Sequence, residues 1–222
     1  FIEDVGNKFY FRGKLEEDAM YNYLKQRLKH AIRFRHKRGF GVHSPFVFDL
    51  ITNVIKEKAE YYDFQVVEAQ GRIRDKERKL CRMLFRLVDY FSYREIVFLG
   101  IENPWVTRYL GAVASDMRLL DGGGNCPDGE FSGKAGGERE KADMLFLGRN
   151  LEGVWNAEWD NMLRRNVDGP LCVVVKDIYK RPLNARLWRQ MRKECTVSID
   201  MMWYGILFWN KKLQKGKYNM II

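Results

Sequence analysis

Hydrophobic residues in the first part of the chain recur at helical spacing. Between residues 15 and 38 they fall three to five positions apart, which favours one apolar stripe along a helix. The stripe consists of Leu15, Met20, Leu24, Leu28 and Ile32. Gly39 is suited to end this helix, because glycine readily takes the left-handed conformation of a C-terminal cap. The pattern therefore predicts an N-terminal helix over residues 15–38.

A second helix is predicted to begin at Ser44-Pro45. A serine side chain can accept a hydrogen bond from the free N–H groups of a first helical turn, and proline fits the first helical position. The apolar positions that follow predict a wide buried face before about Lys58. They are Phe46, Val47, Leu50, Ile51, Val54 and Ile55.

A third helix is predicted over residues 72–91 from its apolar spacing. The positions expected to face inward are Leu80, Leu84, Leu87 and Val88. The positions expected to face mostly outward are basic, namely Arg72, Arg74, Lys76, Arg78, Lys79, Arg82 and Arg86.

Short apolar runs then replace the helical pattern. They cover residues 95–100, 117–121, 142–148 and 171–177. Helical patterns at 105–114 and 159–165 alternate with these runs, which is typical of an α/β parallel sheet. Runs at 196–200 and 204–209 are separated by only a few residues, so they must pair antiparallel. The predicted fold class is α/β, mostly parallel with a C-terminal antiparallel hairpin.

The composition indicates a folded, basic protein. The 222 residues include 39 Lys and Arg against 29 Asp and Glu, a formal charge of +10, and 46% are hydrophobic. No apolar run approaches the roughly 20 residues of a membrane-spanning helix, and the charges in residues 1–11 do not fit a signal peptide. We expect a cytoplasmic protein with a basic helical arm at residues 1–60 and a main domain at residues 61–222.

Cysteine and histidine usage argues against a metal centre or a disulfide framework. The four cysteines are widely separated and form no C-x-x-C pair, and all three histidines lie within the first 43 residues. Neither a zinc site nor a set of disulfides is therefore predicted.

The arm carries a concentrated positive charge. Residues 25–38 include seven Lys or Arg and two His without an acid, so the segment could attract a nucleic acid or an acidic protein partner. The candidate basic surface comprises Lys25, Arg27, Arg33, Arg35, Lys37 and Arg38. The alternative is a solvated helix face that docks on acids of its own protein.

Chemistry in a parallel sheet is expected beyond the carboxyl ends of the strands. The predicted ends are Gly100, Asp121, Gly148 and Asp177. Asp121 follows Gly100 by 21 residues, which fits the arrangement that binds a nucleoside: the glycine lets the ligand approach the backbone closely and the acid takes the ribose hydroxyls. These two residues therefore predict a nucleoside site.

Four segments resemble the class I S-adenosylmethionine-dependent methyltransferases, and a bacterial O-methyltransferase-like subgroup in particular. They are Gly-Phe-Gly-Val-His-Ser-Pro-Phe-Val-Phe at 39–48, Leu-Phe-Arg-Leu-Val-Asp-Tyr-Phe at 84–91, Asp-Ile-Tyr at 177–179 and Ser-Ile-Asp-Met-Met-Trp-Tyr-Gly-Ile-Leu-Phe-Trp at 198–209. The order of a helical lead-in, an α/β sheet and a closing hairpin is similar as well.

The resemblance implies a Rossmann-like sheet with S-adenosylmethionine as the cofactor. It implies cofactor contacts from Gly100, Ile101, Asp121, Gly122 and Gly148. It also implies that Asp177 lies near an unnamed methyl acceptor, as a base or an orienting group.

Several positions depart from the family's pattern. Phe98 stands where members usually carry an acid, Pro104 stands near an expected second glycine, and Trp105 would crowd the loop beside the methionine part of the cofactor. Gly148 stands where the family often carries an aspartate, so no metal site is predicted.

The middle of the chain is also short. Between Asp121 and Asp143 lie 21 residues, seven of them glycine, whereas a full crossover to the next core strand needs about 30 residues or more. We therefore expect a sheet shortened in the middle and a cofactor site that is weakened or lost. The alternative function is a non-catalytic one, in which the basic surface binds a nucleic acid or a protein partner.

Overall fold

The structure is a computed structural model that describes residues 23–28, 44–100, 104–121, 142–156 and 171–220. Residues 23–28 are helical, as the first pattern predicts. The rest of the predicted arm helix and the helix predicted at 159–165 lie outside the described residues.

Helix α1 covers Pro45–Leu50 and continues as a π-helical turn, Ile51–Ile55. Its start is confirmed, because the Oγ of Ser44 accepts a hydrogen bond from the N–H of Val47 at 3.4 Å. The predicted inward face is buried except at Phe46, which is half-buried.

Helix α2 covers Tyr62–Glu68 and helix α3 covers Asp75–Phe91. The four positions of α3 predicted to face inward are buried. The outward placement of Arg86 is wrong, since only 8% of this residue is exposed. Its Nε donates to the carbonyl oxygen of Val54 at 2.9 Å, so the arginine supplies a donor to the π-helical turn packed on α3. Burial lowers the pKa of Arg86.

Seven strands form one sheet in the order β2-β1-β3-β4-β6-β5-β7. Their bounds are β1 Glu95–Leu99, β2 Arg118–Asp121, β3 Met144–Leu147, β4 Leu171–Lys176, β5 Val197–Asp200, β6 Tyr204–Trp209 and β7 Gly216–Asn219. Strand β6 pairs antiparallel with both β4 and β5, and the other pairs are parallel. The predicted mostly parallel α/β sheet with an antiparallel pair near the C-terminus is confirmed, and the sheet is compatible with a Rossmann-like fold.

The two faces of the sheet bury different layers, because successive side chains of a strand point to opposite faces. On β1, Ile96 and Phe98 join the core that contains α1, α2, α3 and α4, the helix at Trp105–Gly111. Val97 and Leu99 join the core of helix α5, Pro182–Glu194. The sequence analysis missed α5 and β7.

The first core continues from the predicted arm into the main domain. Val47, Leu50 and Val54 of the 44–55 segment share it with Ile96 of β1. The boundary at residue 60 stays a prediction. In the described part of the chain, no helix is both long enough and apolar enough to cross a membrane.

Candidate functional site at the carboxyl edge of the sheet

The carboxyl ends of β1, β3 and β4 lie side by side, because these strands pair in parallel. Strand β6 starts at the same edge, since Lys176 at the end of β4 pairs with Tyr204. Strand β5 ends there, with Asp200 opposite Gly205. The edge therefore has a β1–β3 end, formed by residues 100 and 148–150, and a β4–β6 end, formed by residues 176–180 and 200–204.

The β1–β3 end is built from backbone in direct contact. Gly100 has a φ of +65°, and a Cβ added to it would lie 2.2 Å from the carbonyl oxygen of Asn150. A Cβ on Gly148 would lie 2.2 Å from the carbonyl oxygen of Gly100. The N–H of Asn150 donates to that same Gly100 oxygen at 3.3 Å. The absence of a side chain at both positions is thus required by the contact between the two loops.

The remaining predicted cofactor contacts are described only in part. Asp121 ends β2 beside Phe98 of β1, so its backbone lies at the carboxyl edge as predicted. Ile101 and Gly122 lie outside the described residues, as does the shortened 122–141 segment. The ring of Trp105 packs against Gly71 and is 9% exposed.

Asp177 follows β4 in a left-handed conformation, with a φ of +53°. Such a φ is uncommon for a residue other than glycine, although aspartate tolerates it better than most. The N–H of Asp177 donates to the carbonyl oxygen of Trp203 at 2.6 Å, and its own carbonyl accepts from the N–H of Lys180 at 2.9 Å. The carboxylate lies 3.6 Å from the Nε of Arg149. The backbone bonds hold the conformation, and the carboxylate faces the loop after β3.

The ammonium groups of two lysines lie close to the ring of Trp203. The Nζ of Lys76 lies 3.6 Å from a ring centroid of Trp203, and the Nζ of Lys180 lies 5.8 Å away. Lys180 also lies 5.3 Å from the ring centroid of Tyr23 in the 23–28 helix. These distances fall within the range of cation–π contacts, so the β4–β6 end brings together two aromatic rings and two cations.

An ion pair and a buried amide support this arrangement. The Nζ of Lys176 lies 2.7 and 2.9 Å from the two carboxylate oxygens of Glu77 on α3. The Nδ2 of Asn184, which is 1% exposed, donates to the carbonyl oxygens of Gly148 at 2.8 Å and Lys176 at 2.7 Å. Asn184 therefore joins the β1–β3 end to the β4–β6 end.

A buried carboxylate closes the far side of the β4–β6 end. Asp200 is 1% exposed and accepts from the hydroxyl of Tyr179 and from the N–H of Met202 at 3.0 Å. Arg192 lies 3.5 Å from it. Burial, followed by the charge of Asp200, raises the pKa of Tyr179, so this tyrosine is a neutral hydrogen-bond donor at neutral pH.

Protein backbone occupies one side of Gly100 at the β1–β3 end, because the carbonyl group of Asn150 lies where a Cβ would be. Within the described ranges, no group of three or more His, Cys, Asp or Glu side chains could hold a metal ion.

The predicted basic surface is described at two of its six residues. Lys25 and Arg27 are exposed on the 23–28 helix, which lies against Lys180 through Tyr23. Arg33, Arg35, Lys37 and Arg38 lie outside the described residues.

A scan of the sequence against protein-family models and against curated proteins finds no match. The resemblance to class I methyltransferases therefore stays a prediction.

Sequence reasoning missed several residues of this edge. Trp203, Asn184 and Lys76 were not singled out as site residues, because each reaches the edge through contacts that are remote in sequence. One signal was available for Asn184, since Pro182 followed by Leu187, Trp188 and Met191 has the spacing of a helix beginning at proline.

Proposed function

We propose that the chain is an S-adenosylmethionine-dependent methyltransferase-like protein whose cofactor binding is weakened or lost. The observation that carries the proposal is the sheet, in which parallel strands share a carboxyl edge and antiparallel β6 lies between β4 and β5. The resemblance to class I methyltransferases implies a mostly parallel sheet with a closing antiparallel hairpin, and this sheet is compatible with it.

The loss of affinity is supported by the contact between the two glycine loops. In a nucleotide-binding sheet the first glycine turn leaves its backbone open to the ligand. Gly100 instead has the backbone of Asn150 at the position of a missing Cβ. A cofactor at this end would have to displace a protein contact, and that cost lowers its affinity.

Titration calorimetry with S-adenosylhomocysteine tests the proposal. We expect a dissociation constant of about 1 mM or weaker, and we expect Asp121→Ala to remove any remaining binding because Asp121 is the candidate ribose ligand. Asp116→Ala is the matched control, since this exposed acid precedes β2 and pairs with Arg94. Micromolar binding that only Asp121→Ala abolishes would contradict a weakened site. Binding that Asp121→Ala leaves unchanged would contradict the proposed position.

A second candidate function is non-catalytic binding of a nucleic acid or protein partner through basic surface. It is favoured by the contact that places the helix of Lys25 and Arg27 beside the carboxyl edge. Its test is binding in the absence of any adenosyl ligand, with loss of affinity in the double variant Lys25→Gln and Arg27→Gln.

A further inference from the structure

The approach to helix α3 carries cations that have no ion-pair partner among the described residues. Residues Arg72 and Arg74 are exposed on either side of Ile73, which is buried. Arg74 has an extended backbone and precedes the first residue of α3. Lys76 lies on the first turn of α3 and is also exposed.

The two acids next to these cations in the sequence, Asp75 and Glu77, pair with other residues. Asp75 lies 3.2 Å from the Nη1 of Arg78, and Glu77 binds Lys176. In the described part of the chain, no carboxylate lies within ion-pair distance of Arg72, Arg74, Lys76 or Lys180. The positive field of these four side chains is therefore available to an external anion.

The four cations come from two segments near the carboxyl edge of the sheet. The segment that contains Arg72, Arg74 and Lys76 begins at Gly71, which packs on Trp105 after β1. It continues to Lys76, whose ammonium lies on Trp203 before β6. Lys180 reaches Trp203 from the loop after β4 and lies between this ring and Tyr23. Cations thus recur along the edge, and half-buried aromatic rings accompany them at the β4–β6 end.

We infer that this surface, formed by Arg72, Arg74, Lys76, Lys180, Trp203 and Tyr23, binds single-stranded nucleic acid. Several separate cations match a ligand with repeated phosphates, and aromatic rings beside a cationic track can stack on bases of any sequence. A base that stacks on the ring of Trp203 would take the place of the Lys76 ammonium there and leave this cation to a phosphate. A single small anion would use only part of this track. The inference deepens the second candidate function by naming its ligand class and residues, and it requires no adenosyl cofactor.

The test measures fluorescence anisotropy of labelled oligothymidylate of about 15 nucleotides, a length near the upper site size of single-strand binding domains. The variant replaces Arg72, Arg74, Lys76 and Lys180 by Gln. We expect roughly 100-fold weaker binding at 50 mM salt. We also expect the slope of log K against log salt to fall by about three, because each neutralised phosphate of a single strand contributes about 0.7.

A control with the same change of charge locates the effect. Arg186, Arg189, Lys193 and Lys212 are exposed, and the first three lie on α5, which covers the opposite face of the sheet. Replacing all four by Gln should change the affinity less than about five-fold. Equal losses in the two variants would show that only net charge matters and would overturn the inference, as would failure of the wild-type chain to bind at 50 mM salt.

Trp203→Ala separates a nucleic acid from other polyanions. We expect about ten-fold weaker binding of oligothymidylate with an unchanged salt slope, since stacking on one base is not ionic. Binding of inorganic polyphosphate, which has no bases, should not change. If the Trp203→Ala variant unfolds at the same temperature as the wild type and binds both oligothymidylate and polyphosphate with unchanged affinity, Trp203 does not stack on a base. Trp203→Phe, which keeps an aromatic ring, should restore most of the affinity.

The result is independent of the cofactor proposal. No adenosyl compound is present in the anisotropy measurement, so a failed titration with S-adenosylhomocysteine leaves it intact. A negative result with oligothymidylate contradicts this inference alone.

Discussion

The two ends of the carboxyl edge differ in what occupies them. At the β1–β3 end the backbone of Asn150 lies on Gly100, and Gly148 lies on the Gly100 carbonyl. At the β4–β6 end, charged and aromatic side chains gather around Asp177 and Trp203. Both ends belong to the same edge of one sheet. The loops and side chains beyond the strands therefore decide which end is accessible to a ligand. We therefore expect a ligand to bind at the β4–β6 end.

The largest expected effect is that of adding a side chain at the β1–β3 end. Gly100→Ala would bring a Cβ to 2.2 Å from a backbone oxygen, so either the loop after β3 or the turn itself must move. We expect a loss of about 3–5 kcal/mol in the free energy of unfolding, measured with urea.

Gly153→Ala is the control for this change. Gly153 also has a positive φ, +81°, but nothing lies within 4 Å of its missing Cβ. Gly153→Ala should therefore lower the free energy of unfolding by only about 1–2 kcal/mol, the strain of placing an alanine in the left-handed conformation. If Gly100→Ala lowers the free energy of unfolding no more than Gly153→Ala does, the backbone contact does not close the β1–β3 end to a ligand.

A smaller effect is expected where the two ends are joined. Asn184→Ala would leave the carbonyl oxygens of Gly148 and Lys176 without their buried donor. We expect a loss of about 2–3 kcal/mol in the free energy of unfolding. Asn210, whose side chain accepts from the exposed N–H of Lys212, is the comparison, and Asn210→Ala should cost about 1 kcal/mol or less. Equal costs would mean that Asn184 does not couple the two ends.

The smallest effect concerns the backbone at the β4–β6 end. Asp177 holds a φ of +53°, which glycine adopts freely and alanine does not. We expect Asp177→Gly to change stability by less than about 1 kcal/mol, and Asp177→Ala to be less stable than Asp177→Gly by about 1 kcal/mol. Thermal unfolding of the two variants side by side measures the difference. A large loss in Asp177→Gly would show that the carboxylate is needed for folding and would weaken its assignment to a site.

The features that could be read from the sequence are those with local causes. Ser44 and Pro45 predict a helix start because a cap acts within one turn, and the apolar run at 95–100 predicts a buried strand. The strand end at Asp177 follows from the same kind of run. These elements were sufficient to predict the mostly parallel sheet with its antiparallel pair.

The features that could not be read depend on contacts between distant segments. Arg86 was predicted to be exposed because it belongs to a basic helix. It is buried because the carbonyl oxygen of Val54, 32 residues earlier in the π-helical turn, accepts a hydrogen bond from it. The glycines at 100 and 148 suggested space for a ligand, whereas each lies against the other's loop. Spacing along the chain cannot distinguish a glycine that admits a ligand from one that admits a backbone.

The most direct test follows the amide signals of Gly100 and Gly148 by NMR during titration with S-adenosylhomocysteine. If protein backbone occupies the β1–β3 end, both signals should keep their positions at about 0.1 mM ligand, well below the expected dissociation constant. Saturating displacement of both signals at that concentration would contradict the account, because it would place a tight adenosyl site on the two glycines.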